Sequence, residues 1–113
     1  MTVKERVRGN VVVMSLGGDV MNDNSLDQFM GRLDALKEGG QTKIVLNMKN
    51  VSLINSVGIG KLIAAKKSIR EVGGDMKLAQ LSDRADLLIA VTSGLGAWFD
   101  ISETTAAAIA KFN

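Results

Sequence analysis

The sequence contains no cysteine, histidine, proline or tyrosine. Without cysteine there is neither a disulfide framework nor a thiolate metal site. Without histidine the commonest metal ligand and the usual general base are both missing, which weighs against hydrolytic and metal-dependent chemistry. Three phenylalanines and one tryptophan offer no platform for stacking nucleobases. Charge of one sign is also scarce. Fourteen basic and twelve acidic residues leave a net +2, a mixed solvated surface rather than a nucleic-acid footprint. No apolar run reaches the roughly 20 residues that a membrane-spanning helix needs. The opening Met1-Thr2-Val3-Lys4-Glu5-Arg6 lacks the apolar stretch of a signal peptide. These absences lead to the expectation of a cytoplasmic protein that is not an enzyme. It needs no cofactor or metal, inserts in no membrane and contacts no nucleic acid directly.

What is present is glycine punctuation and a hydrophobic period that switches along the chain. The 113 residues fit one domain, 1–113. Val3 to Val7 and Val11 to Leu16 read as strands flanking a Gly9-Asn10 turn, and the Val11-Val12-Val13-Met14 run suits a strand buried on both faces. Asp23-Asn24-Ser25 is a cluster of helix-capping residues, followed by Leu26, Phe29, Met30, Leu33 and Leu36 at helical spacing up to Gly39-Gly40. Ile44-Val45-Leu46 reads as a short buried strand. From Gly58 a second helical stripe runs through Ile59, Leu62, Ala65, Ile69 and Val72 to Gly73-Gly74, leaving Lys66, Lys67 and Arg70 on the solvated side. Met76 to Leu81 is the next strand, and Ser82-Asp83 caps a further helix. Trp98 to Ile101 is a last short strand, and Ser102 caps an alanine-rich helix from Thr104 to Lys111. Strands alternating with helices predict an α/β fold. Its sheet is mixed, with an antiparallel edge, and about four helices pack on it.

The segment richest in functional signal is Leu46-Asn47-Met48, then Val51, then Asn55-Ser56-Val57-Gly58-Ile59-Gly60. A buried strand enters a short loop, and Asn55-Ser56 opens a helix carrying two glycines in its first turn. This pattern resembles the STAS-domain anti-sigma factor antagonists, in which Leu-Asp-Leu ends a strand and Asp-Ser-Ser/Thr-Gly-Leu-Gly opens a helix. The resemblance extends to Gly73-Gly74 before the next strand and to Trp98-Phe99-Asp100-Ile101-Ser102-Glu103 ahead of the closing alanines. It implies a STAS-type sheet and a protein-binding switch whose partner is a serine-kinase anti-sigma factor. Ser56 falls on the serine that this kinase phosphorylates, and Asn55, Val57, Gly58, Ile59 and Gly60 fall on the partner-binding surface. The phosphate itself is chemically at home there. A helix N-terminus presents unpaired N–H groups and partial positive charge, and glycines let another backbone approach.

Several positions depart from the pattern. Asn47 and Asn55 stand where the antagonists carry aspartates, keeping the hydrogen-bonding shape without the charge. Val57 replaces a second hydroxyl residue. After the second strand, Met21 or Asn22 stands where many antagonists have another acid, with Asp23 a residue or two further on. Residue chemistry alone favours the reading in which Ser56 only caps its helix, and the resemblance is what brings phosphorylation level with it. The alternative to the switch is therefore a STAS adaptor or scaffold that is not phosphorylated, in a signalling, stressosome-like or transport-associated complex. Self-association is left open. Gly58-Ile59-Gly60-Lys61 is not a phosphate-binding loop, because Asn55 and Leu62 occupy the places of its first glycine and its hydroxyl residue. Asp83 and Asp86 fit helix-start roles better than a catalytic pair, and Ser93-Gly94-Leu95-Gly96 fits a helix end and turn.

Overall fold

A computed structural model describes residues 1–81 and 96–112. Its five strands form one sheet in sequence order: β1 (Thr2–Arg8), β2 (Val11–Val20), β3 (Lys43–Ile54), β4 (Asp75–Ala79) and β5 (Ile101–Ser102). β1 and β2 are antiparallel, and every later pairing is parallel. Helix α1 (Asn24–Glu38) joins β2 to β3, and α2 (Ser56–Glu71) joins β3 to β4. A single turn, α3 (Gly96–Trp98), precedes β5, and α4 (Thr105–Ala110) follows it. The mixed sheet with an antiparallel edge is the one expected from sequence. The helix expected after Ser82-Asp83 lies outside the described residues, as do Asp83, Asp86 and Ser93 to Leu95.

Strand alternation explains why the β2 run is apolar throughout. Val12, Met14 and Leu16 join Ile44, Leu46, Met48, Met76 and Leu78 in a core with Leu26, Phe29, Leu33 and Leu36 of α1 and Leu62 and Ile69 of α2. Val11 and Val13 point to the other face and pack with Val45, Ala79 and Ala108 of α4. The sheet is therefore the middle of three layers. Asp23 starts α1, its Oδ1 accepting from the Ser25 and Leu26 amides at 3.0 and 3.1 Å. α2 ends ahead of Gly73, whose φ of +85° favours glycine.

Several sequence expectations are corrected. The strand expected at Ile44 to Leu46 continues to Ile54, through the segment expected to be a loop. Its register against β2 slips twice, so Ser15 and Gly17 face Asn47 and Asn50, and Gly18 and Asp19 face Val51 and Leu53. Each slip inserts one extra residue into β3, a bulge that breaks the period of two on which strand reading depends. Val72 is not on the buried stripe of α2; it caps the helix and is 52% exposed. Lys66, expected on the solvated side, is buried to 3% exposure. Its Nζ lies 3.1 Å from Asp75 Oδ1 and 3.1 Å from the Met76 carbonyl. The strand expected from Trp98 to Ile101 occupies only Ile101–Ser102. Pairing with β4 begins where the Leu78 amide meets the Asp100 carbonyl, and Trp98 instead lies under Lys67, 4.3 Å from Nζ to ring centre. Thr104, not Ser102, caps α4, its hydroxyl accepting from the Ala107 amide at 3.0 Å.

Candidate functional site

The two bulges in β3 have a positional consequence. They bring Ile54 level with Val20 at the end of β2, and the Asn55 amide then donates to the Val20 carbonyl at 3.3 Å. The chain turns there into α2. Asn55 is the cap residue, with extended backbone, and its Oδ1 accepts from the Gly58 amide at 2.8 Å. This is the usual reach from a cap side chain to the third helical amide. Ser56 is the first helical residue and not the cap, so its hydroxyl is released from that duty. It is exposed and has no side-chain hydrogen bond among the described residues.

The five residues predicted around Ser56 do not share one environment. Val57 is 42% exposed and Gly60 is exposed. Gly58 is buried and Ile59 half-buried against the α1/α2 core. The two glycines therefore act differently. A Cβ on Gly58 would stand 2.5 Å from the Val20 carbonyl oxygen, whereas one on Gly60 would meet nothing within 4 Å. Gly58 lets β2 and α2 close on each other, and Gly60 leaves bare backbone facing outward. No acidic side chain lies in the first turn of α2, so the partial positive charge of that helix end is not offset from within. Lys61, on the next turn, reaches Asp27 of α1 at 3.8 Å.

The other two polar positions singled out in the sequence lie elsewhere. Asn47 points to the α4 side of the sheet, where its Nδ2 donates to Gln80 Oε1 at 3.2 Å and to the Thr105 hydroxyl at 3.4 Å. Its Oδ1 accepts from the Lys49 amide at 3.0 Å. It ties β3 to the end of β4 and to α4, on the face away from α2. Asp23 is engaged as the cap of α1. Hydrogen bonds from the Ser25 hydroxyl and from the Leu26 and Ser25 amides hold its carboxyl below the usual range. Sequence reading missed Val20, whose carbonyl fixes the α2 entrance. The signal that locates it, the β2–β3 register, is hidden by the bulges. Among the described residues no group of histidine, cysteine or carboxylate side chains could hold a metal. No described helix is long and apolar enough to cross a membrane.

Known proteins share this fold. The sequence model of the STAS domain matches residues 2–108. BtrV of Bordetella bronchiseptica, named as an anti-sigma factor antagonist, is 24% identical over 108 residues, covering 96% of this chain and 90% of BtrV. The anti-sigma factor antagonist SpoIIAA in its unphosphorylated form superposes with a TM-score of 0.81 at 21% identity, over 98% of this chain and 96% of the other. The Bacillus SpoIIAA in its phosphorylated form gives 0.74 at 23% identity, over 99% and 100%. At these identities the structures establish the fold, and the match of the family model over nearly the whole chain establishes the lineage: the chain belongs to the STAS domain family.

Proposed function

We propose that this protein is an anti-sigma factor antagonist, a cytoplasmic binding protein and not an enzyme, switched by phosphorylation of Ser56. Its partner is a serine-kinase anti-sigma factor, which the unmodified protein sequesters. The observation that carries this reading is the placement of Ser56: an exposed, unengaged hydroxyl on the first residue of a helix whose cap is supplied by its neighbour. A phosphate on Ser56 Oγ would sit at the positive end of α2 and add roughly −1.5 to −2 charge at neutral pH. The same charge would fall beside Val57 and Gly60, the exposed elements of the turn, and repel or displace a partner seated on them. The partner supplies ATP and magnesium, so this chain needs no cofactor. Family membership and the likeness to SpoIIAA, solved in both phosphorylation states, support the reading. The second reading is a constitutive STAS adaptor. Asn55 favours it, because the amide caps the helix but brings no charge to the serine.

Two experiments separate these readings. Protein isolated from its native cells is expected to carry one phosphate on the peptide containing Ser56, seen by mass measurement and absent in Ser56→Ala. Unmodified Ser56 across growth and stress conditions would leave only the adaptor. Gly60→Ala tests the docking surface. The added methyl has open space around it and improves helix propensity, so unfolding free energy is expected to rise by about 0.5–1 kcal/mol. Partner capture is expected to fall, because the methyl stands where the other backbone approaches. Stabilisation with undiminished capture would remove Gly60 from the interface.

A further inference from the structure

Among the described residues β1 is an open edge of the sheet, bonded to β2 alone. All seven of its residues are exposed, and alternation divides them between two faces. Val3, Glu5 and Val7 share the α1 side, where Arg32 holds Glu5 through contacts of 2.6 and 2.8 Å. Lys4, Arg6 and Arg8 share the α4 side, opposite Ser15, Val13 and Val11. Same-face side chains along a strand stand roughly 7 Å apart. Among the described residues none of these three cations has an ion pair or side-chain hydrogen bond. Lys77 and Lys111, by contrast, are engaged by Asp75 and Asp100. Asp19, an exposed carboxylate of β2, lies past Gly17, where pairing with β1 ends. A groove flanks β1 on each side. That facing α1, about 320 Å³, is lined by Met1, Val3, Phe29 and Arg32 among others. That facing α4, about 450 Å³, is lined by Arg6, Arg8, Ala106, Ile109 and Ala110 among others.

We propose that β1 docks an extended segment of a partner protein in which acidic residues alternate with β-branched apolar ones. The backbone of the segment completes the open edge as a sixth strand. Its carboxylates meet Lys4, Arg6 and Arg8 across the ladder, and its apolar side chains cover Val3 and Val7, which are 38% and 55% exposed. The period of two is required, since a slip of one residue turns the carboxylates onto the apolar side. A second copy of β1 does not fit this edge. In the antiparallel register centred on Arg6, Arg6 meets Arg6 and Lys4 meets Arg8, which sets like charges across the ladder. Neither groove includes Ser56, so the inference is independent of the phosphorylation switch.

The test uses a fluorescein-labelled peptide of alternating glutamate and valine, titrated with the full chain at roughly physiological salt and read by anisotropy. Binding with a Kd of about 10–100 μM is expected, weakened at least about tenfold by Lys4→Ser/Arg6→Ser/Arg8→Ser. Because these side chains are exposed, the variant keeps its circular dichroism spectrum. Bound peptide slows amide exchange along β1. Arg6→Glu/Arg8→Glu is expected to exchange this preference for a lysine–valine peptide, which guards against a merely misfolded variant. Equal binding of a peptide with its glutamates and valines in two blocks overturns the proposal. So does binding to phosphatidylserine vesicles without binding to the peptide. If nothing binds, the proposal fails and the cations only guard the edge against aggregation.

Discussion

Gly58→Ala is expected to lower the unfolding free energy by up to about 2 kcal/mol, and Gly58→Val by about 3 kcal/mol or more. Two effects oppose each other. Replacing a helical glycine with alanine gains roughly 0.8–1 kcal/mol of propensity. The new Cβ, however, would stand 2.5 Å from a backbone oxygen, that of Val20, with Val20 Cγ1 and Ile54 Cγ1 both at 3.1 Å. Backbone cannot rotate away as a flexible side chain would, so β2 and α2 must separate, and overpacking of this kind costs typically about 1–3 kcal/mol. Valine adds two further atoms to the same contact. Urea denaturation with an unchanged m-value checks the prediction. A stabilised Gly58→Ala, behaving as Gly60→Ala is expected to behave, would mean that the approach of β2 to α2 does not set the entrance. Because Asn55 both caps α2 and donates to Val20, displacement here also moves Ser56. Partner capture should therefore fall in Gly58→Ala even where most molecules remain folded.

This pair of glycines marks where sequence reading succeeded and where it stopped. The strand–helix alternation was legible because α1 and α2 carry apolar residues at helical spacing and β2 opens on an unbroken apolar run, and so the sheet type and the opening of α2 at Asn55-Ser56 were recovered. The motif Asn55-Ser56-Val57-Gly58-Ile59-Gly60 was legible as a unit, but the division of labour within it was not. Gly58 and Gly60 look alike until the Val20 carbonyl is placed, and that depends on a two-bulge register no local pattern encodes. The same bulges hid the second half of β3. Asn47 was singled out because it stands where the antagonists carry an aspartate, yet the pleat turns it toward α4. Lys66 was misjudged for a related reason. Charge was taken as a sign of solvent, while the position four residues after Leu62 already placed it beside the buried stripe of α2.

Lys66→Ala is expected to cost about 3 kcal/mol, more than its charge alone suggests. The alkyl stem is buried, and deleting three methylenes forfeits about 0.8 kcal/mol each. The Nζ also bridges Asp75 and the Met76 carbonyl, each at 3.1 Å, and lies 5.0 Å from the Phe99 ring centre. It thereby fastens α2 to the start of β4. Lys66→Met keeps most of the stem and separates the two contributions. Its loss is expected to be smaller, about 1–2 kcal/mol, because the Asp75 side chain is 25% exposed and can rehydrate when its partner is gone. Burial acts to raise the Asp75 pKa, but the Lys66 hydrogen bond and charge, the Met76 amide and the Lys77 charge together hold it below the usual carboxylate value. A carboxyl depressed in the folded state contributes stability above its unfolded pKa, about 3.9. That contribution is lost as pH falls through the folded value. The wild type is therefore expected to lose stability below about pH 4, and Asp75→Asn to lose less over the same interval. Denaturant unfolding at pH 7 and pH 3 reads the difference. Combining Lys66→Met with Asp75→Asn should remove both charges at once and recover part of the single-variant loss, as expected when a buried pair is deleted whole rather than halved. A strictly additive double variant would show that Lys66 stabilises the domain through its stem and not through the ion pair.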